Sequence, residues 1–203
     1  FDITLGGAAN NYDGQHFGDI IWIKVLGNNT KKYRWYNGTG VKADVNVYAK
    51  ASYEIKKVVL LYADMQLRGV KHTITGIDDD LRDIAQQHNF GFFNPKGGIV
   101  IKPIKNVEIY GFYSRANREP NRGNFTDAPV GQRPKAELLN DFEFGVSVNN
   151  KRYSLATNIY LMNYRDQLVL TGQINDVGNA IMTNVEKSYR NGIELMAGVK
   201  VLD

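Results

Sequence analysis

Arg115, Arg118, Glu119 and Arg122 crowd three guanidinium groups and a carboxylate into one short stretch. Each guanidinium offers a planar fork of N–H donors that matches a carboxylate or phosphate two bonds at a time. The cluster is a candidate anion-binding site. It reads better as a loop anchor, in which Glu119 and nearby aspartates neutralise the arginines. The other chemistry-bearing types are dispersed. His16, His72 and His88 lie far apart, in or near predicted loops, where a surface histidine is the default and a shared metal the exception. Asp78, Asp79 and Asp80 could face a hard cation, but they lack the alternating ligand spacing of a calcium loop and read better as a solvated acidic turn. GTGVK and PKGG read as glycine turns, since no glycine-lysine-serine/threonine motif follows. The serines are scattered without a GxSxG elbow. Cysteine is absent, which excludes disulfides, thiolate metal sites and cysteine nucleophiles. No nucleophile–base pair stands out, so the residues predict no catalytic site, no cofactor, no metal centre and no enzyme.

The elements that must position these residues are strands. The chain holds 12 Tyr, 9 Phe and 20 Gly among 203 residues, a mix that favours strands and turns. Its 25 Lys and Arg are intermixed with 21 Asp and Glu, net +4, without the clustered basic face of a nucleic-acid binder. The longest apolar run, Val58 to Ala63, is far short of the roughly 20 residues a membrane-crossing helix needs. No basic, apolar leader opens the chain. In VKADVNVYAKASYEI, from Val41 to Ile55, alternate residues beginning with Val41 are apolar or small. Between them stand Lys42, Asp44, Asn46, Tyr48, Lys50, Ser52 and Glu54. Alternation sustained this long is the mark of a strand with one apolar and one polar face. The pattern recurs, and strands are predicted near residues 1–12, 41–55, 58–75, 90–103, 106–118, 139–149, 152–169 and 190–201. Val107 to Arg115 is ambiguous, because Tyr110 and Phe112 compete with Val107 and Ile109 for the apolar face.

The predicted connections alternate in length. Three are tight: Lys56-Lys57, Lys105-Asn106 and Asn149-Asn150. Between them lie long stretches at about 13–40, 76–89, 119–138 and 170–189, and DDDLRDIAQQHN within them reads as a short loop helix capped by Asp78. Short turns at one end and long loops at the other are how outer-membrane β-barrels connect their strands. An all-β, antiparallel transmembrane barrel in the cell outer membrane follows, with the Val41 set, Leu61 and Met65 toward lipid. In a barrel every backbone N–H and C=O is paired between strands, so modestly apolar side chains suffice on the lipid side. Tyr53 and Tyr153, near short turns, are candidates for an aromatic girdle. The arginine cluster falls where a strand leaves the membrane, within reach of outer-membrane lipid and of lipopolysaccharide phosphates.

The wording of several segments is also familiar. ANREPNRGNFTDA, RPKAELLNDFEFG, YLMNYRDQLVLTGQINDVGNAIMTN and SYRNGIELMAG closely resemble the barrel of TonB-dependent outer-membrane receptors, and YDGQHFGDIIW and GIDDDLRDIAQQHNFGFFNPKGG are similar to it too. The resemblance covers nearly the whole chain and implies a 22-stranded barrel closed by a plug. Such a receptor imports a scarce ligand, most often an iron chelate such as a siderophore, with energy from TonB. Neither a plug nor a TonB box is visible, and the chain ends in KVLD without the family's aromatic-terminated last strand. Residues 1–203 are therefore expected to be one partial barrel domain of eight strands, reaching the TonB complex through a plug outside the segment. The alternative is a complete eight-stranded structural or adhesive barrel. The two differ at the edges, since only the second requires the first strand to pair with the last.

Overall fold

In a computed structural model that describes residues 1–24, 32–129, 131–174 and 178–201, the chain is one antiparallel sheet. The strands are β1 (Asp2–Ile20), β2 (Tyr33–Ile55), β3 (Val59–Ile77), β4 (Gln86–Ile104), β5 (Val107–Arg118), β6 (Glu137–Asn149), β7 (Tyr153–Ile174) and β8 (Ala180–Val199), with a short helix α1 (Arg122–Thr126) between β5 and β6. Each strand pairs with its sequence neighbours, in the order β1 to β8. Among the described residues β1 and β8 share no ladder, so the sheet is open, as the large-barrel reading requires, and the closed eight-stranded barrel is not formed.

Register assigns the faces. Val47 stands opposite Leu67, Ala49 opposite Met65 and Tyr53 opposite Leu61; Leu67 in turn faces Phe93. Directly opposed residues share a face, so the Val41 set, Leu61 and Met65 point the same way, as expected. Val47 is 58% exposed, Met65 55% and Leu195 75%. A continuous apolar surface of this kind must be covered by something apolar. The other face carries Lys42, Asp44, Arg68, Asp141, Glu143 and Glu194 and is the luminal wall. Register also resolves the ambiguous β5. Tyr113 and Ile109 face outward with Phe142 and Val146, while Tyr110 and Phe112 face the lumen, opposite Gly145 and Glu143. The Tyr110 ring lies across Gly145, where a Cβ would overlap it. Aromatic side chains thus line both faces, which is why periodicity alone could not decide this strand.

The Lys56-Lys57 connection is a two-residue turn with both residues at positive φ, 51° and 58°, the geometry that matches the twist of the flanking strands. The β6–β7 turn sits slightly later than expected, at residues 150–152, because the Asn150 side chain accepts the N–H groups of Arg152 and Tyr153, both at 2.8 Å. Tyr53 and Tyr153 face outward beside their turns, and Phe1 meets Tyr53 edge-on at 6.2 Å.

Much of the predicted loop sequence outside 119–136 proves to be strand. At about 3.3 Å per residue, the 23 residues of β2 reach roughly 75 Å, far beyond the 9–11 residues that cross a bilayer. The stretches 13–40, 76–89 and 170–189 lose the apolar alternation because both faces there meet water or loops. Among the described residues the ladders continue there to Ile20, from Tyr33, to Ile77, from Gln86, to Ile174 and from Ala180. GTGVK and PKGG accordingly lie inside β2 and β4 rather than in turns. DDDLRDIAQQHN forms no helix: Asp78 accepts the N–H groups of Asp80 and Arg82 in a tight turn, Leu81 has φ 60°, and Gln86 onward enters β4. The helix forms instead at Arg122–Thr126, where Asn121 and Asn124 exchange side chain-to-backbone bonds as a capping box.

Candidate functional site

Residues 119–127 of the β5–β6 connection fold inward onto the luminal wall. Glu119 is buried, and both its oxygens are held. Lys42 Nζ lies 2.5 Å from Oε1. Arg68 donates from Nη1 to Oε2 at 2.8 Å and from Nη2 to Oε1 at 2.9 Å, a bidentate pair. Arg68 also donates to Asp44 from Nε at 3.0 Å and from Nη2 at 2.5 Å. Two bases from β2 and β3 are thereby matched to two acids, one on the wall and one on the loop. Burial pushes the Glu119 carboxyl up, but the bonds from Arg68 and Lys42 outweigh it and hold it below the ordinary glutamate range.

Six residues further on, α1 inserts Phe125 into a small apolar cluster with Ile74 and Ile84, flanked by Phe90. Two histidines complete the socket. His72 and His88 stand directly opposite each other in the β3–β4 ladder; His88 stacks on Phe125 at 3.8 Å and His72 meets it edge-on at 5.9 Å. All three histidines lie in strands: His72 within the span expected for β3, and His16 and His88 in stretches expected to be loops. Arg122 lies across Gly38 and Gly40 of β2, whose missing side chains leave it room. It lines a luminal pocket of about 410 Å³ with His16, Tyr36, Asp78, Asp79, Thr126, Asp127 and Asn179. Burial, with the charge of Asp79 adding to it, holds the Asp127 carboxyl above the ordinary aspartate range.

The sheet separates the remaining members of the arginine cluster. Arg115 faces outward, opposite Asn140, whose Oδ1 accepts its Nε–H at 3.2 Å. Arg118 faces the lumen and pairs with Glu137 at 2.5 Å; the Glu137 carboxylate also accepts the Leu168 N–H. Glu119 joins Lys42 and Arg68 instead of its neighbouring arginines, and Arg122 enters the pocket alone.

The TonB dependent receptor-like, beta-barrel family model matches residues 1–201. The chain belongs to the TonB-dependent receptor β-barrel family. These receptors are outer-membrane proteins, and the apolar outward face of this sheet is the lipid face. Solved structures with the same fold include the ferric-catecholate import receptor Fiu from K12 E. coli in its closed form, at 15% identity and TM-score 0.71, covering 99% of this chain and 33% of that one. The copper transporter OprC aligns at 13% identity and TM-score 0.75, over 100% and 33% of the two chains. The ferric yersiniabactin uptake receptor FyuA from Yersinia pestis aligns at 11% and 0.69, over 99% and 30%. The chain thus spans about a third of the length of these structures. No curated protein matches it in sequence.

In this receptor barrel the loop-to-wall network and the pocket are one construction. Glu119 and Phe125 fix the two ends of a short segment, and Arg122 between them is presented to the lumen. Sequence reasoning named Glu119 and Arg122 but missed Lys42, Arg68, His72, His88 and Phe125 as their partners. The available signal was the register. Once Lys56-Lys57 sets the β2–β3 pairing, Asp44 and Arg68 fall two rows apart on the same face.

Proposed function

We propose that this chain is part of the wall of an import receptor that captures a scarce ligand from outside the cell, an iron chelate being the leading cargo. On this reading, strands and a plug outside residues 1–203 complete a barrel of about 22 strands, and TonB acts through that plug. The observation that carries it is the luminal pocket at the base of the folded-in loop. At about 410 Å³ it falls in the size range of small-molecule sites. It offers Arg122 and His16 to anionic groups and Asp78, Asp79 and Asp127 to cationic or hydroxyl groups. The family consists of transport receptors, and the similar structures include importers of ferric catecholate and ferric yersiniabactin, which supports this cargo class. Of the four candidate ligand residues, Arg122 is the one to which ligand contact is assigned, supported by its position in the pocket lining, and Glu119 holds the segment that carries it.

The test is a panel of ferric chelates, heme and copper titrated into the full-length chain carrying this segment, followed by intrinsic tryptophan fluorescence. One ferric chelate is expected to bind, and Arg122→Ala to weaken it by about tenfold or more, equivalent to at least ~1.4 kcal/mol. Binding of heme or copper instead would replace the cargo. No binding by any of the three classes would remove the import reading.

A further inference from the structure

The outward face of β5 to β8 carries an unneutralised basic patch at the upper edge of its apolar band. Reading upward, the outward residues of β5 are Val107, Ile109, Gly111 and Tyr113, and then Arg115. Those of β7 are Leu155, Thr157, Ile159 and Leu161, and then Asn163 and Arg165. On β8 they run Leu195, Ile193, Asn191, Tyr189 and Lys187. Adjacent strands change from apolar to polar at nearly the same row, which marks where hydrocarbon ends and headgroups begin. Along the described outward positions from the periplasmic turns up to Arg115, Arg165 and Lys187, the three bases meet no acid at all.

The patch differs from the luminal bases Lys42, Arg68 and Arg118, which each have a carboxylate partner. Arg165 and Lys187 are both exposed and stand directly opposite each other in the ladder. Like charges in that relation destabilise a sheet, and among the described residues no acid is paired with either. Arg115 is two strands away, about 10 Å by strand spacing, and its Nε is steadied by Asn140, leaving the rest of its guanidinium fork open. Tyr189, 72% exposed, stands between the bases and the band, with an apolar ring and a polar tip suited to that boundary.

We propose that Arg165, Lys187 and Arg115 form a binding patch for the phosphate groups of the anionic glycolipid of the outer leaflet. Phosphate supplies the negative charge this face lacks. Two guanidinium forks and an ammonium can hold phosphate oxygens by charge-assisted hydrogen bonds, while the acyl chains lie along Leu161, Phe142 and Ile193 below. The inference rests on the outer-membrane placement of the barrel and is independent of the cargo.

The test uses the full-length chain carrying this segment, purified in neutral detergent, with native mass spectrometry to count and titrate bound lipid. The probes are diphosphorylated lipid A, the same lipid with its phosphates removed, and inorganic phosphate. The expected result is retention of the diphosphorylated form, with Arg165→Glu/Lys187→Glu weakening it by about tenfold or more and added salt weakening it further. Dephosphorylated lipid A should bind poorly, and excess inorganic phosphate should fail to displace the lipid. Equal binding of both lipid forms would overturn the proposal, as would displacement by inorganic phosphate or wild-type affinity in the double variant. If that variant does not assemble, Arg165→Gln/Lys187→Gln decides instead: weakened binding supports the patch, and unchanged binding refutes it.

Discussion

Glu119 shows how one side chain can hold a loop against a wall. Its carboxylate takes an ammonium and a guanidinium that would otherwise be left half-buried and under-paired beside Asp44. Removing one partner of a buried, hydrogen-bonded group costs more than the bond itself is worth, because the other partner keeps its desolvation penalty. Glu119→Ala should therefore destabilise the closed loop by about 1–3 kcal/mol. Hydrogen exchange at Gly123–Thr126 is the measurement, and unchanged protection would show that Phe125 alone suffices. The lowered pKa sets the pH dependence. A carboxyl depressed in the folded state stabilises above its unfolded value, about 4.3, and that contribution is lost as pH falls through the folded one. Loop protection is thus expected to hold at neutral pH and to drop below about pH 4. In Glu119→Gln this acid-dependent step should vanish.

At the scale of elements, the hairpins are specified by their two faces and by their turns. Val47 and Asn46 are neighbours on β2 that point to opposite faces. Val47→Arg places a charge against lipid and should cost about 2–4 kcal/mol near mid-membrane, whereas Asn46→Arg enters the polar lumen and should cost much less. Equilibrium unfolding from lipid vesicles measures both, and equal costs would void the face assignment. The β2–β3 turn offers an opposite case, a gain. Lys56 and Lys57 both occupy the left-handed region, at a steric cost of about 1–2 kcal/mol per residue. Asn-Gly takes that conformation readily. The replacement Lys56→Asn/Lys57→Gly should stabilise the hairpin by roughly 1–2 kcal/mol, read from the same unfolding midpoint.

At the scale of the whole molecule, the sheet has two edges, the outer sides of β1 and β8. A strand edge presents unpaired N–H and C=O groups that recruit other strands, and in hydrocarbon each unmet group costs several kcal/mol. Residues 1–203 expressed alone should therefore self-associate in detergent, as light scattering would reveal. A monodisperse monomer with slow amide exchange on both β1 and β8 would contradict this.

The sequence by itself determined the eight strands, their antiparallel hairpins, the Lys56-Lys57 turn and the lipid face. Each of these is written locally. Lipid on one side and water on the other forces period-two alternation into the chain, and the tight turns interrupt it at visible points. Only the tertiary structure decided how far the strands run beyond the membrane, because above it both faces are polar and the alternation disappears from β1, β2 and β8 while their ladders persist. The site was decided there as well. Glu119 meets Lys42 from 77 positions away and Arg68 from 51, and His72 meets His88 only because the β3–β4 register puts them opposite. Arg115 and Arg118, close in sequence, part to opposite faces because the pleat alternates. Local spacing encodes which face a side chain takes; strand register, set by turns far along the chain, encodes whom it meets.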